Sequence, residues 1–137
     1  MPESVYRILP WIAAAGFIAA GVSIASGRTS SRSAWMIPAV ACLVFALWTG
    51  WAIYAEGPLA FWPEHVRGAW ANQIWFDLLL AATVGLALLA PRARAVGMSP
   101  LPWFGLIVCT GSIGILAMLA RCLFLEARLP AASSSNP

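Results

Sequence analysis

The chain has 137 residues, of which 61% are hydrophobic and 9% charged, with a mean hydropathy of +0.82. Average soluble chains carry roughly 45–50% and about 25%, so this composition excludes a water-covered globule and makes lipid the solvent. The net charge of +3 comes from eight arginines and no lysine, scattered singly or in pairs at segment ends, a pattern that excludes a phosphate-tracking nucleic-acid surface.

The first apolar segment covers about residues 6–25. Its start is barely basic and its apolar run is too long for the core of a signal peptide, so it reads as a true span. Pro10 falls in its first turns, where a missing N–H is tolerated. Ala15, Ala19 and Ser23 form a small-residue stripe at four-residue spacing. A polar connection with Arg28 and Arg32 leads to a second span at about 35–55, opened by Trp35 and closed by Trp51 and Tyr54 in the aromatic-belt pattern. Trp48, Trp51 and Tyr54 roughly share a face, which suits belt and packing more than a pocket.

Residues 56–77, EGPLAFWPEHVRGAWANQIWFD, concentrate three of the five acids, the only histidine and three of the eight tryptophans. Gly57-Pro58 breaks the helix there. Leu59, Phe61, Trp62, Val66 and Trp70 are too apolar for a solvated linker, so 58–68 is expected to lie at headgroup depth as a short helix or turn. The third span covers about 69–90 and ends at Pro91. Gln73 and Asp77 are one turn apart, with Ala81 and Gly85 continuing the stripe, so Asp77 is expected to face another helix. An ionisable group two turns inside a span is costly and usually pairs or serves a pathway. A third connection with Arg92 and Arg94 leads to a last span over about 101–125, which carries the narrow flank Gly111, Gly114, Ala117 and then Arg121. The tail, 131–137, is Pro/Ser-rich and reads as disordered.

These segments predict an all-α fold, an antiparallel four-helix bundle in the membrane, as a single domain over residues 1–130. Antiparallel neighbours then place Asp77 and Arg121 on one side of the membrane, and an Asp77–Arg121 ion pair is expected. Arg28, Arg32, Arg92 and Arg94 fall on one side and Arg7, Arg67, Arg121 and Arg128 on the other. That balance gives only a slim bias toward termini outside, in a multi-pass protein of the inner membrane.

Cys42, Cys109 and Cys122 all lie in apolar runs and read as small hydrophobes. Neither a metal site nor a bound cofactor is indicated. His65 as a haem or chlorophyll ligand is set against a surface histidine beside Glu64, the commoner case; a single histidine excludes bis-histidine haem within one chain. A small multidrug exporter would carry a glutamate in the first span, and none is present there. If there is catalysis, its residues are Asp77, as a general acid raised in pKa by burial, and Arg121, although a structural pair is the expected role. Trp48, Trp51, Glu56, Trp70 and Gln73 are the candidate residues for a hydrophobic or isoprenoid ligand.

FDLLLAATVGLALLAPRARAVGM (76–98) followed by TGSIGILAMLAR (110–121) resembles a family of small, mostly uncharacterised bacterial membrane proteins with four helices. In that family an Asp opens the third span, an arginine-containing connection ends near Gly-Met, and a small-residue patch precedes an Arg. The family is distantly similar to integral-membrane terpene cyclases. The resemblance covers about residues 57–121 and implies the fold and a pairing of Asp77 with Arg121. The expected function is a small accessory subunit, with a membrane-protein partner or a second copy, or a binder of a lipid-like or isoprenoid ligand. The alternative is a terpene-cyclase-like or isomerase-like enzyme with Asp77 as acid and Trp48, Trp51, Trp70 and Trp75 shielding a carbocation.

Overall fold

A computed structural model of the chain describes residues 3–27 and 33–129. Arg28, Arg32 and the Pro/Ser-rich tail lie outside the described residues. The chain divides into two compact units, 1–34 and 35–137, with the boundary at the end of the first polar connection. The described residues form six helices and no strand, and three of the helices are long and apolar enough to cross a membrane.

The first unit holds α1, Glu3–Ala25. It starts three residues earlier than the apolar pattern predicts, and Glu3 meets Arg7 one turn on at 3.9 Å. Pro10 therefore sits inside the helix rather than in its first turn.

The second unit holds α2 (Met36–Glu56), α3 (Phe61–His65), α4 (Ala69–Ala95), α5 (Pro100–Thr110) and α6 (Ser112–Glu126). α2 stops at Gly57, whose φ of 95° suits glycine and whose N–H reaches the Ile53 carbonyl at 2.9 Å. α3 is the short helix expected within 58–68. α4 runs five residues past the expected stop at Pro91. Its last turn is held by Ala93, fully buried, and it ends in a Schellman motif in which Gly97 N–H bonds Arg94 C=O (3.0 Å) and Met98 N–H bonds Ala93 C=O (2.8 Å).

The largest departure is in the last apolar run. The single helix expected over 101–125 is two helices, α5 and α6, joined by Gly111 at φ 59°, ψ −123°, a conformation that disfavours any side chain. The two helices fold back on each other. Ile107 lies against Gly114, where an added Cβ would stand 2.8 Å from the Ile107 backbone, and further from the turn Cys122 Sγ meets Met98 Sδ at 3.8 Å.

The remaining contacts fix the directions. Gly85 faces Ile115 and Arg92 meets Glu126, so α4 and α6 run parallel. Trp35 meets Phe124 and the Cys42 thiol donates to Ile113 C=O, so α2 runs antiparallel to α6. α6 is thus the helix on which α2, α4 and α5 all pack. The core is Leu89, Ala93, Ile107, Met118 and Cys122, with Leu86, Met98, Trp103, Ile115 and Leu119 packed around it. The last of the four continuous helices expected from the sequence is therefore broken, and within 35–129 α4 and α6 run parallel rather than antiparallel.

Candidate functional site

Apart from Asp77, the charged side chains of the second unit lie toward its two ends. At one end, α3 and the start of α4 form a corner. The Asn72 amide donates to the His65 carbonyl at 2.7 Å, tying α3 to the first turn of α4. The His65 ring packs edge-on to Trp75 with centroids 4.6 Å apart, and Phe61 borders both rings. His65 Nδ1 lies within hydrogen-bond distance of Phe61 C=O. Glu64 and Arg67 pair at 3.0 Å, both largely exposed. This corner is a packed joint in which the histidine is held by an aromatic neighbour.

The predicted site residues do not converge on it. Glu56 ends α2 and is exposed, with no ion pair among the described residues. Trp48 and Trp51 are half-buried on α2, and Trp51 stacks obliquely on Tyr54 at 6.0 Å. The Trp51 indole N–H is buried without an acceptor among the described residues. Trp70 is 82% exposed, and Gln73 and Asp77 are exposed on the same helix.

The expected Asp77–Arg121 pair does not form. The ion pairs among the described residues are Glu3–Arg7, Glu64–Arg67 and Arg92–Glu126. The cause is the reversal at Gly111. Because α6 runs parallel to α4, Arg121 stands level with the stretch between Gly85 and Arg92. Asp77 lies at least two turns away, about 12 Å at 1.5 Å per residue. Nor does Asp77 face a helix within this unit. The α4 residues packed on α6 are Ala82, Gly85, Leu86, Leu89 and Ala93. At 100° per residue the stripe drifts from Asp77 through Ala81 to Gly85, so Gly85 packs on Ile115 while Asp77 is turned to the far face.

The opposite end carries what sequence reasoning missed. Arg92 Nε and Nη2 donate to the two carboxylate oxygens of Glu126 at 3.0 and 2.7 Å, a forked pair joining the last turns of α4 and α6. Glu126 is the one acid after Asp77, a signal available in the sequence, but a fourth crossing helix would have put it on the other side from Arg92. Beside this pair, Arg128 lies over the Phe124 ring at 4.1 Å and Arg121 at 5.7 Å, with Trp35 edge-on at 5.3 Å.

Compared with family models, curated proteins and solved structures, the chain matches none.

Proposed function

We propose that this chain is a multi-pass membrane protein of the inner membrane that works as a non-catalytic accessory subunit, docking on a second membrane protein through the far face of α4. Insertion is supported by α1, α2 and α4, helices of 23, 21 and 27 residues whose apolar 18-residue stretches have mean hydropathies of 2.0, 1.9 and 1.9. α5 has 11 residues and rises about 16 Å, roughly half of a 30 Å hydrocarbon layer. The α5–α6 pair then acts as a re-entrant hairpin, entering and leaving on the side of the α4 C-terminus. Irregular backbone at that depth needs protein partners. The Gly111 N–H bonds Ile107 C=O at 2.7 Å, its carbonyl accepts from Ile115 at 3.4 Å, and the Thr110 hydroxyl donates to Leu106 C=O.

The observation that carries the docking is the far face of α4. Trp70, Gln73 and Asp77, at i, i+3 and i+7, share one exposed face, and Asp77 has no partner among the described residues. Facing lipid near the centre of a span, an aspartate costs about 2.5–3.5 kcal/mol. A partner helix offering an arginine, lysine or amide donor at that depth offsets the cost, and an exposed tryptophan beside it supplies an apolar anchor. Orientation follows from the reversal at Gly111. Within 35–129, Arg92, Arg94, Arg121 and Arg128 belong to the end where α4 and α6 finish, and Arg67 alone to the other. The arginine-rich end is assigned to the cytoplasm on this count.

The test is a photoreactive residue at Gln73, with Thr83 as the control position, in native membranes. The expected result is one membrane-protein adduct from position 73 alone, co-purifying at fixed stoichiometry and weakened about tenfold by Asp77→Asn. Adducts to lipid only, or equal yields from both positions, would sink the accessory reading.

A further inference from the structure

At the arginine-rich end the charges are not all matched. Arg92 has Glu126, but Arg121 and Arg128 have no carboxylate among the described residues. Both instead lie within 6 Å of the centroid of one ring, Phe124. Arg121 lies about one turn before Phe124 on α6, and Arg128 follows just past the end of that helix. A cation over an aromatic ring near solvent gains about 0.5–1 kcal/mol, and two guanidiniums on one ring also repel each other. The two guanidiniums share this ring with no carboxylate paired to either among the described residues. Trp35, edge-on to the same ring, extends the aromatic wall from α6 onto the start of α2.

We propose that Arg121 and Arg128, with Phe124 and Trp35 between and behind them, hold the headgroup of an anionic phospholipid. A phosphodiester has two non-bridging oxygens, one for each guanidinium, and arginine forks suit that geometry. Arg121 lies five residues inside the end of α6 and is exposed, so its side chain extends up toward the interface while Arg128 reaches in from beyond the helix end. The acyl chains then lie along the apolar sides of α2 and α6. A zwitterionic lipid brings its own cation to the same place and gains less. Basic clusters at helix ends on the cytoplasmic side are where anionic headgroups are recognised.

This proposal rests on membrane insertion, so the experiment separates the two. The purified full chain is first reconstituted into phosphatidylcholine vesicles and floated on a density gradient. Failure to float overturns the membrane reading and the lipid site with it. The chain is then placed in an equimolar phosphatidylcholine–phosphatidylglycerol bilayer, extracted gently, and its retained lipids counted by native mass spectrometry. The expected result is a clear preference for phosphatidylglycerol, reduced about fivefold for each of Arg121→Gln and Arg128→Gln. Arg94→Gln, at the same end but away from Phe124, keeps the preference. Floating without headgroup preference overturns the lipid site alone. An equal loss in Arg94→Gln makes the effect one of bulk charge and overturns it too. So does displacement of the lipid by millimolar inorganic phosphate, which makes the site one for a free oxyanion.

Discussion

Arg92 and Glu126 stand 34 residues apart and meet through two parallel hydrogen bonds. A lysine ammonium has no such fork, so the pair depends on arginine geometry as well as charge. The side chains remain 46% and 33% exposed, which limits what the pair contributes. For partly exposed pairs the coupling is about 0.5–1 kcal/mol. A double-mutant cycle with Arg92→Gln and Glu126→Gln, read by thermal unfolding in detergent, is expected to return a coupling in that range. A coupling of zero would mean that the last turns of α4 and α6 are joined by packing of Ala93 and Cys122 alone. The partnership was out of reach of sequence reasoning for a physical reason. Which acid an arginine meets depends on chain direction, and one glycine reversed it. Asp77 fares differently. Its weight as a solitary acid inside an apolar run was legible, while the direction it faces was not, because a stripe at four-residue spacing drifts by 40° per step.

Among the elements, the α5–α6 hairpin depends most on a single atom position. A Cβ on Gly114 would lie 2.8 Å from both the N and the Cα of Ile107, and backbone there cannot yield as a flexible side chain does. Gly114→Ala is expected to cost about 1–3 kcal/mol through overpacking. Gly85→Ala is the matched comparison. Its Cβ would meet only Ile115 side-chain carbons at 3.5 Å, an ordinary contact, so stability should change by less than about 0.5 kcal/mol. If the two variants unfold alike, the close approach of α5 to α6 is not what holds the hairpin. The helices themselves were readable. The first three apolar runs, the Gly57-Pro58 break and a short helix within 58–68 all appear within a few residues of their expected places. Pro91 was misleading because a proline removes one hydrogen bond, and buried Ala93 with the Gly97 motif carries the helix past it. In the sequence Gly111 and Gly114 look like a narrow flank. Glycine in an apolar run carries the same signature whether it admits a neighbour or turns the chain.

At the scale of the whole molecule, under the membrane reading proposed above, that turn decides on which side of the bilayer residue 129 lies. Four full crossings would leave residue 129 on the side of the 57–68 corner. A hairpin returns it to the side of the 96–99 connection, where Arg92 pairs with Glu126. Single cysteines at Leu59, Ser99 and Leu129 distinguish these two topologies, in a background lacking Cys42 and Cys109. Cys122 can stay, since it is fully buried. With a membrane-impermeant maleimide, Ser99→Cys and Leu129→Cys are expected to react from one face of sealed vesicles and Leu59→Cys from the other. Leu129→Cys reacting together with Leu59→Cys would restore the fourth crossing, and with it a route for Arg121 toward Asp77. The same experiment in Gly111→Ala tests the cause. Alanine disfavours the positive φ that makes the turn, and 27 residues of continuous helix would rise about 40 Å, enough to cross. The variant should therefore lose the shared labelling of positions 99 and 129, either by moving the C-terminal end across the bilayer or by failing to insert the last segment. Retention of the wild-type pattern would show that packing of α6 against α2 and α4, and not the backbone of Gly111, sets the topology.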